Sequence, residues 1–63
     1  MAGADKRYKL TVYYTDGEVE QNENVQDMPY LLEGGVLAAY QGDGVYRHYV
    51  LRYVQSYTVE VQQ

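Results

Sequence analysis

His48 is the only histidine of the chain and Ser56 the only serine. A nucleophilic hydroxyl needs a base, a carboxylate to orient that base, and donors for the oxyanion. In a chain of 63 residues a serine and a histidine can meet across neighbouring strands, but the surface has no room for the remaining parts. Nucleophilic catalysis is therefore not expected. Asp16, Glu18 and Glu20 alternate along one stretch and could aim oxygens to one side. A calcium loop, however, needs more ligands on a curved backbone, as in Asp-x-Asp-x-Asp-Gly, and that pattern is absent. The three acids read instead as a solvated strand edge defended by charge. EGG (33–35) and GDG (42–44) are too short for phosphate loops. With no cysteine, a disulfide framework and every thiolate metal site are excluded. No cofactor, metal or enzymatic activity is expected.

The remaining unusual chemistry is aromatic. Nine of the 63 residues are tyrosine, a side chain that combines a large apolar ring with a hydroxyl seeking water or a partner, and so is favoured at interfaces. In VYRHYVLRYVQSY (45–57) they recur at Tyr46, Tyr49, Tyr53 and Tyr57, spacings of three, four and four that suit one face of a helix. Val and Tyr are reluctant helix formers, the stretch has no capping box, and YTVEV (57–61) alternates as a strand does. The reading is therefore a strand over 45–51, a tight turn at RYVQ containing one turn of 3-10 helix, and a last strand over SYTVEV (56–61).

Three glycine signals, TDG, EGG and GDG, cut the rest into strand-sized pieces, because Gly accepts positive φ and Asp bonds back to its own backbone. YKLTVYY (8–14) alternates and is rich in β-branched and aromatic residues. EVEQNENV (18–25) is its polar return arm, with Val19 and Val25 as apolar anchors and Glu18, Glu20, Asn22 and Asn24 on the opposite face. MPYLLE and VLAAYQ form a second hairpin through Gly34 and Gly35, with Pro29 at its entry and a short helix over 26–33 as the competing reading. The whole is all-β: five to six short antiparallel strands, with a 3-10 turn before the last, in a small closed or nearly closed barrel. Residues 1–7 are expected to be a flexible tail and 8–63 a single domain.

The order TVYYTDG, polar strand, LLEGGVLAAY, HYVLRYVQSYTVEV resembles short uncharacterised proteins of actinobacteria and their phages. The resemblance spans residues 9–61 as a pattern of turns and apolar positions. It implies an SH3-like barrel and no activity. The family form often has Pro in the last corner, where this chain has Val50, Leu51 and Arg52.

A domain this small buries only about 60% of the surface its unfolded chain exposes, and without disulfides the staple left to it is a partner. Tyr14, Tyr40 and Tyr49 are expected to close the core, leaving an aromatic patch outside. The expected function is a protein-interaction module, a homo-oligomer or one docking on a larger host or virion protein. Its hot spots would be Tyr46, Arg47, Tyr49, Arg52, Tyr53 and Tyr57, the residue types that dominate binding energy. One alternative is a structural virion component, such as a decoration or connector protein. Another is a single-strand nucleic-acid binder stacking bases on Tyr8, Tyr46 and Tyr53 beside Lys6, Arg7, Lys9, Arg47 and Arg52. The net charge of -4 disfavours nucleic acid. No stretch reaches the length of a signal peptide or membrane span, so cytoplasm, of a bacterium or an infected host, or a virion is the expected location.

Overall fold

The computed structural model describes residues 7–62 of the chain; the first six residues of the expected tail lie outside them. Arg7 begins the first strand. Six strands follow in order, β1 (Arg7–Tyr14), β2 (Val19–Val25), β3 (Tyr30–Leu32), β4 (Val36–Gly42), β5 (Val45–Val50) and β6 (Val54–Gln62), with a 3-10 turn at Leu51–Tyr53. All neighbours are antiparallel, and they form two three-stranded sheets of order β2-β1-β6 and β3-β4-β5.

Of the barrel expected to be closed or nearly closed, the closed form is not the one observed. Between the two sheets runs a single backbone bond at the end of β2 rather than a continuous ladder, Gln26 N–H donating to Tyr40 O at 2.8 Å; two further bonds, Leu51 N–H to Gly35 O at 2.8 Å and Thr15 N–H to Tyr53 O at 2.9 Å, extend the β4–β5 and β1–β6 ladders within each sheet. The competing helix over 26–33 is absent, since Pro29 sends the chain straight into β3, which is only three residues long.

The turns follow the glycines. Asp43 (φ 54) and Gly44 (φ 78) form the two-residue loop of the β4–β5 hairpin. Positive φ at both positions is the signature of a type I′ turn, whose twist matches that of the strands, and Asp-Gly is among its preferred pairs. At the β1–β2 turn, Asp16 Oδ1 accepts the Glu18 N–H at 2.9 Å, while Tyr14 O accepts the Gly17 N–H at 3.1 Å.

The core lies between the inner faces of the two sheets. Tyr8, Leu10, Val12 and Val25 from the first meet Leu37, Ala39 and Tyr49 from the second, with Tyr14, Leu51, Val54 and Val59 packed partly against them. Of the three tyrosines expected to close it, Tyr49 is buried, while Tyr14 and Tyr40 are half-buried.

One irregularity redistributes the β2 side chains. The β1–β2 register passes from Tyr8↔Val25 to Leu10↔Asn22, so β2 carries an extra residue there. A bulge of one residue reverses which side chains face inward. Val19 and Val25, expected on one apolar face, therefore part company: Val25 enters the core, whereas Val19 lies beside Tyr13 on the outer face and is 53% exposed. Glu20 and Asn22, read as solvated, turn inward with Val12 and Leu10.

Candidate functional site

The inward turn of β2 builds a polar clasp between the sheets. Glu20 stands opposite Val12 on the inner face of the first sheet, and Arg47 stands opposite Ala39 on that of the second. Arg47 donates from Nε to Glu20 Oε2 and from Nη2 to Oε1, both at 2.9 Å. The same carboxylate accepts the Tyr14 hydroxyl at 2.9 Å and the Tyr49 hydroxyl at 3.1 Å. Tyr49 Oη in turn accepts Asn22 Nδ2 at 3.2 Å, and Asn22 also donates to Gln41 Oε1 at 2.6 Å. The Arg47 guanidinium sits 5.3 Å from the centre of the Tyr49 ring, within cation–π range.

The electrostatics follow from these contacts. The Arg47 guanidinium, and then the tyrosine hydroxyls, hold the Glu20 carboxyl below its ordinary pKa despite partial burial. Glu20 holds Arg47 more firmly protonated still. Burial first, and the adjoining Glu20 charge with it, pushes the Tyr14 and Tyr49 phenols up. Among the described residues no buried side-chain polar atom lacks a partner, and no group of three or more His, Cys, Asp or Glu could hold a metal ion. The clasp is thus a fully satisfied network that fixes one sheet to the other.

The six expected hot-spot residues do not form one surface. Tyr49 is only 2% exposed and belongs to the core, so it is unavailable to a partner. Arg47 is engaged by Glu20, although its side chain remains 52% exposed. Tyr46 lies on the outer face of the second sheet, opposite Tyr40. Arg52 and Tyr53 are exposed on the 3-10 turn, and Tyr57 stands on β6 opposite Val12. The helical spacing of the four tyrosines arises where a strand, a turn and another strand succeed one another, and it sends them to four different surroundings. Tyr8, proposed for base stacking, is buried. Ser56 lies opposite Tyr13 on the outer face of the first sheet and His48 opposite Ala38 on that of the second, so the sheets separate them.

What the sequence did not reveal is a second aromatic and aliphatic grouping. Cross-strand pairs Tyr30↔Ala38, Leu32↔Val36, Val36↔Val50, Ala38↔His48 and Tyr40↔Tyr46 place all these side chains on the outer face of β3-β4-β5. Tyr30, Leu32, Tyr46 and Val50 are each between 42% and 49% exposed. Tyr40 and Tyr46 stack with ring centroids 5.0 Å apart, tilted by 48°, and Tyr40 Oη accepts the Gly44 N–H at 3.2 Å. Among the described residues, His48 and the tyrosine phenols are the ionisable groups that the sheet pairing places in this face. The available signal was the run VLAAY, apolar at every position, which marks a strand that expects cover on both sides.

No family model matches the chain, and no match is found among curated proteins or among solved structures. No helix among the described residues is long and apolar enough to cross a membrane.

Proposed function

We propose that the chain is a non-enzymatic protein-interaction module that docks through the outer face of β3-β4-β5. The observation that carries this reading is the composition of that face: Tyr30, Leu32, Tyr46 and Val50 are exposed together on one side of a sheet, with His48 exposed beside them, Val36 and Tyr40 half-buried, and Ala38 covered at their centre. With whole side-chain areas near 150–250 Å², the exposed part amounts to roughly 400 Å², a size at which an apolar patch on a monomer is often a contact surface. Tyr46 and Tyr30 supply the rigid anchors typical of hot spots. The chain course suits an SH3-like barrel left open: a strand bent between β2 and β3, a three-strand meander, a 3-10 turn, and a last strand returning to β1.

Tyr46→Ser paired with Val50→Asp tests the reading, since both side chains point out of the fold. A partner captured by the wild-type chain should survive moderate salt and be lost to the double variant, while the circular dichroism spectrum stays unchanged. Equal capture by both chains would overturn the assignment of this face. Capture that collapses steeply with salt would instead indicate nucleic acid.

A further inference from the structure

A second surface is left unfinished, at β6. This strand is the longest of the six, nine residues, and among the described residues it bonds on one side only, to β1. The other three sheet edges are blunted: β2 carries Glu20, Glu23 and a bulge, β3 is three residues long and follows Pro29, and β5 presents Arg47 and His48 before running into the 3-10 turn. Charges, proline, bulges and shortness are the devices that keep an edge from pairing. In β6 there is an irregularity near Gln55, but from Ser56 to Gln62 the ladder to β1 is unbroken and β6 itself carries one charge, Glu60. The second sheet also leaves the inward side of β6 only partly covered. Tyr57 is 38% exposed and Val61 59% exposed, although both share the face of the core residues Val12 and Tyr8.

We propose that β6 pairs with β6 of a second copy, antiparallel and centred on Val59, joining two three-stranded sheets into one of six strands. The sequence of the edge is self-complementary in that register. On the inward face Val59 meets Val59 and Tyr57 meets Val61 twice over, aromatic and β-branched pairs of the kind that stabilise a ladder. On the outward face Ser56 meets Gln62, and Thr58 meets Glu60. Glu60 therefore opposes Thr58 rather than its own counterpart, and it already has Lys9 as its neighbour on β1. A two-fold axis through Val59 gives the isologous contact expected of a dimer. The interface is small, below about 1,000 Å² in total, which places the dimer among weak assemblies. It uses no residue of the outer face of β3-β4-β5, so it stands or falls apart from docking there.

Sedimentation equilibrium of the full chain from about 10 μM to about 1 mM covers the range where so small an interface would associate. A monomer–dimer equilibrium is expected, with exchange slowing as concentration rises at those amides of Ser56 to Gln62 that point away from β1. Thr58→Lys faces Glu60 across the axis and should tighten the dimer roughly threefold to tenfold, whereas Thr58→Glu should loosen it by a similar factor, since two such pairs form. Thr58 is exposed, so both variants should retain the monomer fold, checked by circular dichroism at low concentration. A monomer throughout the range would overturn the proposal, as would protection of the β6 amides that point away from β1 at every concentration alike. Equal effects of the two variants would overturn the register.

Discussion

Glu20 is the residue on which most of the polar structure converges. It neutralises Arg47, accepts from Tyr14 and Tyr49, and through Tyr49 holds Asn22 in place. Because its folded pKa is depressed, its contribution is fully present above the ordinary Glu value near 4.3 and is lost as pH falls through the lower folded value. Glu20→Gln should cost roughly 1–2 kcal/mol at neutral pH, a figure kept modest because Arg47 is half solvated. It should also flatten the acid limb of stability, measured by urea unfolding between neutrality and the acid transition. An unchanged acid limb would place that transition in other carboxylates. Tyr49 acts at the other end of the scale. Its phenol is raised by burial, so its stabilisation is complete below the ordinary tyrosine pKa near 10 and lost above it. Tyr49→Phe should reduce that alkaline loss, and at neutral pH cost about 1 kcal/mol, because Asn22 Nδ2 loses one of its two acceptors. Urea unfolding from neutral to alkaline pH checks both.

At the level of elements, the turns were legible and the faces were not. TDG, EGG and GDG located three hairpin turns because positive φ is a local demand that few residues meet. Gly44→Val should accordingly cost about 1–2 kcal/mol, since a β-branched side chain at φ 78 is forced into the left-handed region, and chemical denaturation would register it as a lower midpoint. The strand ends came within a residue or two, and β6 simply reaches further back, to Val54, than SYTVEV suggested. Which side chains face inward depends on a bulge, however, and the β2 bulge has no local sequence mark in VEQNENV. Its existence is settled by the pairing of β1 with β2, a contact between segments, and so Glu20 and Asn22 could be read only as solvated. The tyrosines failed for a related reason: a helical spacing was drawn across a strand, a turn and a strand, and only Tyr46 of the four stands on the face that the sheet pairing assembles.

The whole molecule is drawn out rather than round. Its radius of gyration of 12.0 Å exceeds the roughly 10–11 Å expected of a compact chain of this length, and its extents are 40 × 22 × 14 Å. Two thin sheets offer one layer of side chains to bury, and the fully buried part of that layer reduces to Leu10, Leu37, Val12 and Val25 as its largest members. A domain of 63 residues has about 3–9 kcal/mol of stability to lose, by the usual range per residue. Leu10 lies on the central strand of its sheet, between Asn22 and Val59, with no exposure at all. Truncating a buried Leu to Ala costs about 2–5 kcal/mol, the upper part of which applies where the surroundings cannot collapse into the space. Strands fixed on both sides by ladders and by the Glu20 clasp have little freedom to do so. Leu10→Ala should therefore take a large share of the total and leave a measurable unfolded fraction at 25 °C, seen as a shortened native baseline in urea. If the β6 dimer forms, part of that loss is recovered at high concentration, because association favours the folded state by mass action. The variant at two concentrations thus reads the core and the assembly together: a midpoint that rises with concentration ties them, and one that does not assigns the whole deficit to the cavity.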